Sequence, residues 1–81
     1  MTTSERLREL LARDFDIPAA KLVPEATLED LGIDSLQMIE IVFSIEDAFG
    51  FKIDADAAEI RARVKTLQDL AGFIDERKPN P

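Results

Sequence analysis

The sequence has 81 residues, of which 46% are hydrophobic, and its 17 acidic against 10 basic side chains give a formal net charge of −7. A chain of this length forms one small domain, and its apolar fraction predicts a packed core. It contains no histidine and no cysteine, which excludes imidazole bases, thiolate nucleophiles, disulfides and the usual zinc ligands. We therefore expect neither catalytic residues nor a metal site.

The first predicted helix occupies the N-terminal part of the chain. Thr2 and Glu5 have the spacing of a capping box, which marks its start. Three leucines at the spacing of one helix face indicate its core side: Leu7, Leu10 and Leu11. The helix should end near Phe15, because Pro18 follows. Residues 16–34 contain Pro24 and Gly32 and lack a sustained apolar period, so we expect a long connection there with one turn at residues 27–31.

The second predicted helix, residues 35–49, ends at Gly50 and is apolar on two separate faces at about 100° per residue. The broad face should pack into the core: Met38, Ile41, Val42, Ile45, Ala48 and Phe49. The narrow face consists of Leu36, Ile39 and Phe43. Three acids border the narrow face: Glu40, Glu46 and Asp47. Either the narrow face docks a partner, which we favour, or the connection covers it through Leu22, Val23, Leu28 and Leu31.

Two further helices are predicted in the C-terminal part. Asp56 and Glu59 mark the start of a short helix over residues 57–63, and Thr66 with Asp69 marks the start of the last one. The last helix has its own apolar stripe: Leu67, Leu70, Ala71 and Ile74. The predicted fold is all-α, a small four-helix bundle of three main helices plus a shorter third helix, with the long connection between helices 1 and 2. Residues 1–77 should form the domain and residues 78–81 a flexible tail.

The negative charge is concentrated in the middle of the chain. Residues 25–59 hold ten acids and one base, a net charge of −9, whereas residues 1–24 are neutral and residues 60–81 carry +2. This segment repels nucleic acid and attracts a basic protein surface, although acidity also serves solubility. No apolar run approaches the ~20 residues of a membrane span, and the first residues lack the apolar stretch of a signal peptide. We expect no membrane span and a cytoplasmic location.

Asp34 and Ser35 stand where the second helix begins. Either residue can cap the helix through a side-chain oxygen. Alternatively, the Ser35 hydroxyl carries a covalent group, since a helix N-terminus favours an attached phosphate. Ser35 has no imidazole to activate it and does not match Gly-x-Ser-x-Gly, so another enzyme would have to attach the group.

Residues 28–36, Leu-Glu-Asp-Leu-Gly-Ile-Asp-Ser-Leu, resemble the phosphopantetheine attachment site of acyl carrier proteins. The resemblance continues through residues 40–42 and 45–49 and through residues 66–74, so it covers essentially the whole chain in order. The segment Gly32-Ile33-Asp34-Ser35 is closer to the acyl type than to the peptidyl type, which usually has Gly-Gly followed by His or Asp and then Ser.

The resemblance implies that a phosphopantetheinyl transferase uses coenzyme A to attach 4′-phosphopantetheine to Ser35. The thiol of this arm would hold acyl chains as thioesters and present them to acyl-transferring and synthase enzymes with basic docking patches. The resemblance assigns transferase and partner recognition to Asp34, Leu36, Ile39, Glu40, Phe43, Glu46 and Asp47. A pocket for the acyl chain would be lined by Ile41, Val42, Ile45, Ile60 and Leu67, which otherwise are simply core residues. We expect a monomer.

Several residues depart from the pattern of fatty-acid carriers. Gln37 stands where an acid is common, and Phe43 is bulkier than usual. Residues 53–66 form a longer segment than usual, and two segments are unusually basic, with Arg61, Arg63 and Lys65 in one and Arg6, Arg8 and Arg13 in the other. These departures favour a specialised lipid or polyketide-type pathway over housekeeping fatty-acid synthesis. The rival interpretation is an unmodified acidic helical adaptor that binds a basic protein partner, with Ser35 only as a cap.

Overall fold

The computed structural model describes residues 2–78, and within them the chain forms four α-helices and a short 3₁₀ helix. The α-helices are α1 (Thr3–Asp14), α2 (Ser35–Phe49), α3 (Ala57–Arg63) and α4 (Leu67–Arg77), and the 3₁₀ helix covers Ala19–Lys21. The predicted all-α four-helix bundle is confirmed. Met1 lies outside the described residues. So do residues 79–81, which make up most of the predicted C-terminal tail. None of the described helices is both long and apolar enough to cross a membrane.

Each α-helix starts at a side-chain cap. The side chains of Thr2 and Thr66 accept hydrogen bonds from the backbone three residues on, and both belong to capping boxes. The box at Thr2 was predicted as such, and Thr66 was predicted as a helix start. Asp34 caps α2 and Asp56 caps α3 in the same way. Because these caps are local contacts, the sequence predicts where the helices begin.

The connection between α1 and α2 is more ordered than predicted. The turn at residues 27–31 is confirmed by a hydrogen bond of 3.2 Å from the Leu31 N–H to the Thr27 carbonyl. The 3₁₀ helix at Ala19–Lys21 was not predicted, because three residues after a proline are too few to show a periodic pattern. The connection is also attached to the start of α4, through hydrogen bonds of 3.0 Å from Leu28 N–H to Lys65 O and from Leu67 N–H to Ala26 O.

The hydrophobic core draws on all four helices and on the connection. On α2, the buried residues are Met38, Ile41, Val42 and Ile45, as predicted for the broad face. The prediction is wrong for Ala48, which is exposed, and incomplete for Phe49, which is half-buried. Arg6 of α1 covers this end of α2 instead of core side chains: its guanidinium lies 4.1 Å from the centre of the Phe49 ring and donates to the Ala48 carbonyl at 2.9 Å.

The start of α1 and the end of α4 are joined by a polar cluster. The Thr3 hydroxyl donates to Asp75, and Lys78 Nζ lies 2.8 Å from Thr3 Oγ1 and 3.1 Å from Asp75 Oδ1. The Thr3 hydrogen bond, and then Lys78, hold the pKa of Asp75 below its ordinary value. A carboxylate with a lowered pKa stabilises the fold at neutral pH, and this contribution is lost as the pH falls through that lowered pKa.

We expect Ile45→Ala to lower the free energy of unfolding by about 2–5 kcal/mol, because Ile45 is fully buried and its removal leaves a cavity. Phe43→Ala is the matched control on the same helix, where the side chain is 64% exposed, and it should change stability by less than about 0.5 kcal/mol. Urea denaturation followed by circular dichroism measures both values. Equal losses in the two variants would contradict the assignment of the two helix faces.

Candidate functional site

Asp34, and not Ser35, is the cap of α2. Its backbone is extended, and its Oδ1 accepts a hydrogen bond of 2.8 Å from the Gln37 N–H. Its carbonyl also accepts the first bond of the helix, from the Met38 N–H at 2.9 Å. The sequence left both residues open as caps, and the structure places Ser35 one residue inside the helix. The Ser35 hydroxyl is therefore not needed to start α2.

Ser35 is exposed at the positive end of the α2 dipole. The N–H groups of Ser35 and Leu36 belong to the first turn, where a helix offers them no internal acceptor. A second element contributes a positive charge, because Arg61 Nη1 of α3 donates to Ser35 Oγ at 3.2 Å. An exposed hydroxyl oxygen, helix N–H groups and a guanidinium meet here, and this combination suits an anionic group bonded to that oxygen.

The narrow face of α2 is exposed along its whole length. The exposed fractions are 68% for Leu36, 41% for Ile39 and 64% for Phe43. The connection does not cover this face, because two of its apolar side chains, Leu22 and Leu28, are buried in the core instead. At the end of the face lies a surface groove of about 360 Å³, lined by Phe43, Glu46, Asp47, Gly50, Phe51 and Lys52.

Comparisons with known proteins show which family the chain resembles. A family model described as a phosphopantetheine attachment site matches residues 5–74. A protein of Zymomonas mobilis subsp. mobilis named acyl carrier protein is 36% identical over 77 residues, which are 94% of this chain and 95% of that protein. An acyl carrier protein of Thermosynechococcus vestitus is 35% identical over 74 residues, 90% of this chain and 88% of that protein. The chain belongs to the acyl carrier protein family. It is a carrier and not a catalyst, and its cofactor is covalently attached 4′-phosphopantetheine.

The residues at the start of α2 fit the cofactor of an acyl carrier protein. The arm is joined through a phosphodiester, which needs a hydroxyl oxygen and a surrounding that tolerates a negative charge. Ser35 has an exposed hydroxyl oxygen of this kind, and the α2 N-terminus and Arg61 make the potential around it positive. The carrier family also implies partner enzymes and acyl chains.

The acids that border the narrow face of this carrier are not equivalent. Glu40 and Asp47 are exposed. Glu46 is half-buried, and its Oε2 accepts a hydrogen bond of 2.7 Å from the Ile53 N–H. Glu46 therefore orders the loop after α2, a contact that the helix pattern gave no means of predicting.

The residues predicted to line an acyl pocket of the carrier are all buried. Ile41, Ile45 and Ile60 are fully buried, whereas Val42 is 8% and Leu67 3% exposed. All five belong to the same core cluster. The structure thus brings them together as packing residues, and their contact with an acyl chain stays a prediction.

Sequence reasoning missed the contact between Arg61 and Ser35. The two residues are 26 positions apart and lie on different helices, so no spacing rule connects them. The available signal is the basic character of residues 61–65, which departs from the pattern of fatty-acid carriers.

We expect Asp34→Ala to lower the free energy of unfolding by about 0.5–2 kcal/mol, because it removes the cap of α2. Asp34→Asn keeps a capping oxygen and should recover most of this loss. Ser35→Ala should change stability by less than about 0.5 kcal/mol. Thermal or urea unfolding of the three variants measures these values, and a Ser35→Ala loss as large as that of Asp34→Ala would show that the hydroxyl is structural.

Proposed function

We propose that Ser35 carries the 4′-phosphopantetheine arm and that the protein holds acyl intermediates on it as thioesters for delivery to partner enzymes. The observation that supports this proposal is the division of roles at the start of α2. Asp34 caps the helix, while the Ser35 hydroxyl lies exposed beside Arg61. A phosphopantetheinyl transferase could reach that oxygen without disrupting the helix.

In this function the polypeptide positions the oxygen to which the arm is attached. When attached, the arm supplies the thiol that forms the thioester. The polypeptide has no thiol of its own, because it contains no cysteine. The chain holds the attachment oxygen on a helix whose broad face is buried, so this oxygen has a fixed place on the surface. A tethered substrate reaches a docked enzyme at a high effective concentration.

We further propose that the narrow face and its acids form the surface that the transferase and the synthase enzymes recognise. Leu36, Ile39 and Phe43 offer exposed apolar contacts next to Ser35. The charged positions of this surface are Asp34, Glu40, Glu46 and Asp47. Glu46 adds charge while one of its oxygens holds the loop after α2. A basic patch on the partner fits this surface, because opposite charges increase the rate of encounter and fix orientation.

The pathway we propose is a specialised lipid or polyketide-type synthesis. Gln37 is neutral at a position where fatty-acid carriers commonly have an acid, so the region near Ser35 has one negative charge fewer. Phe43 exposes a larger apolar surface than an aliphatic residue would. Arg61 adds a positive charge at the attachment oxygen itself. Each of these residues changes what a partner meets, so the chain should serve partners adapted to it. The monomeric state, the cytoplasmic location and the acyl pocket remain predictions.

The first experiment incubates the protein with a broad-specificity phosphopantetheinyl transferase and coenzyme A and measures intact mass. We expect the mass gain of one phosphopantetheine in the unmutated protein and in Ser4→Ala, and no gain in Ser35→Ala. Ser4 is a matched control because it is a serine at the start of α1. An unchanged mass of the unmutated protein, under conditions that modify another carrier, would favour the unmodified adaptor.

A second experiment tests the docking surface through the KM of the transferase for this protein. Glu40→Lys and Asp47→Lys should each raise KM by about two- to fivefold at low salt, because each reverses an exposed charge. Glu76→Lys on α4 is the matched control and should leave KM unchanged. Added salt should raise the KM of the unmutated protein and reduce the difference between variants. Glu46 is unsuitable for this test, since its replacement also removes the bond to Ile53.

If KM stays the same in both charge-reversal variants and at all salt concentrations, docking is not electrostatic.

A further inference from the structure

We propose that Arg61 binds the phosphate of the arm and restrains the arm at its base, an inference that rests on attachment at Ser35. The residue approaches the attachment oxygen from α3, a different element from the one that carries Ser35. Its role is that of a positioning residue, since the carrier performs no chemistry of its own.

The position of Arg61 is fixed by the way α3 is anchored. Asp56 caps this helix by accepting from the Glu59 N–H at 2.8 Å, and the Val64 N–H closes it on the Ile60 carbonyl at 2.8 Å. The side chain of Ile60 is fully buried in the core. Arg61 follows it directly and is half-buried, so its guanidinium is held close to the start of α2.

Arg61 is a cation, but its side-chain hydrogen bond in this structure goes to a neutral group. Within the part of the chain that the structure describes, the ion pairs join Arg13 to Asp14, Arg77 to Glu76 and Lys78 to Asp75, and none includes Arg61. Its hydrogen bond goes to a neutral hydroxyl. A guanidinium binds a phosphate more strongly than a neutral acceptor because the two charges attract, and its planar fork can contact two phosphate oxygens at once.

A phosphodiester on Ser35 would bring one negative charge into the most acidic part of the chain. Residues 25–59 already have a net charge of −9, and the Asp34 carboxylate is the immediate neighbour. A nearby cation offsets this repulsion. The non-bridging oxygens of the phosphate are bonded to the same phosphorus as the Ser35 oxygen that Arg61 contacts, so Arg61 meets them with little movement.

Arg63 on the same helix provides a matched control. It is exposed, and it lines a surface groove with Gln68, Asp69, Gly72, Phe73 and Glu76 on the side of α4. Arg61 instead lines a separate groove of about 210 Å³ with Thr27, Leu28, Glu29, Val64 and Lys65, beside the loop that leads into α2. The two arginines therefore have the same charge and helix but different surroundings.

The experiment compares apo and phosphopantetheine-loaded protein by NMR, after intact mass has shown full loading. In the unmutated protein, we expect loading to shift the Nε–Hε resonance of Arg61 and to leave that of Arg63 in place. The ³¹P resonance of the loaded protein should move in Arg61→Gln and coincide with the unmutated protein in Arg63→Gln. High salt should move the unmutated ³¹P resonance towards its position in Arg61→Gln, because salt screens the ion pair.

The outcomes separate this inference from the proposed function. If the unmutated protein gains no mass, attachment at Ser35 is wrong, and so is the proposed role of Arg61. If loading is complete but the Arg61 resonance and all ³¹P resonances stay the same, attachment holds and the inference about Arg61 is overturned. The comparison of apo and loaded unmutated protein needs no variant, so it decides the question even if Arg61→Gln does not fold.

Discussion

The hydrogen bond from the Gln37 N–H to Asp34 Oδ1 is the contact on which the site depends. It starts α2 with the residue before Ser35, so the serine enters the helix with its hydroxyl exposed. If Ser35 itself were the cap, its oxygen would be engaged with the backbone, and any group attached there would compete with helix formation. Because the two adjacent residues divide these roles, the Ser35 hydroxyl is not needed to start the helix.

The site also requires that α2 keeps a fixed orientation, and the packing of its broad face provides this. Met38, Ile41 and Ile45 are fully buried against the other elements, which sets the rotation of the helix about its axis. The same rotation exposes the narrow face next to Ser35. One helix thus combines a core contact with the oxygen and the apolar surface that we propose for attachment and for docking, and its amphipathic pattern decides where each one lies.

Local and distant contacts differ in how well the sequence predicts them. The helix starts at Thr2, Asp56 and Thr66 were predictable, because a cap and its acceptor lie within three residues. The narrow face was predictable from helical period alone, whereas its exposure depends on where the connection packs. The contacts of Arg61 with Ser35 and of Arg6 with Ala48 join residues 26 and 42 positions apart, and only the packing of the helices determines them. The same packing explains why Ala48 was wrongly placed in the core.

The most direct test is tandem mass spectrometry of the protein isolated from its native host. We predict a phosphopantetheine group on the peptide that contains Ser35, with fragment ions that place it on that serine and not on Ser4 or Ser44. Protein that is always unmodified at Ser35, in cells where the host's other carriers are loaded, would contradict the account.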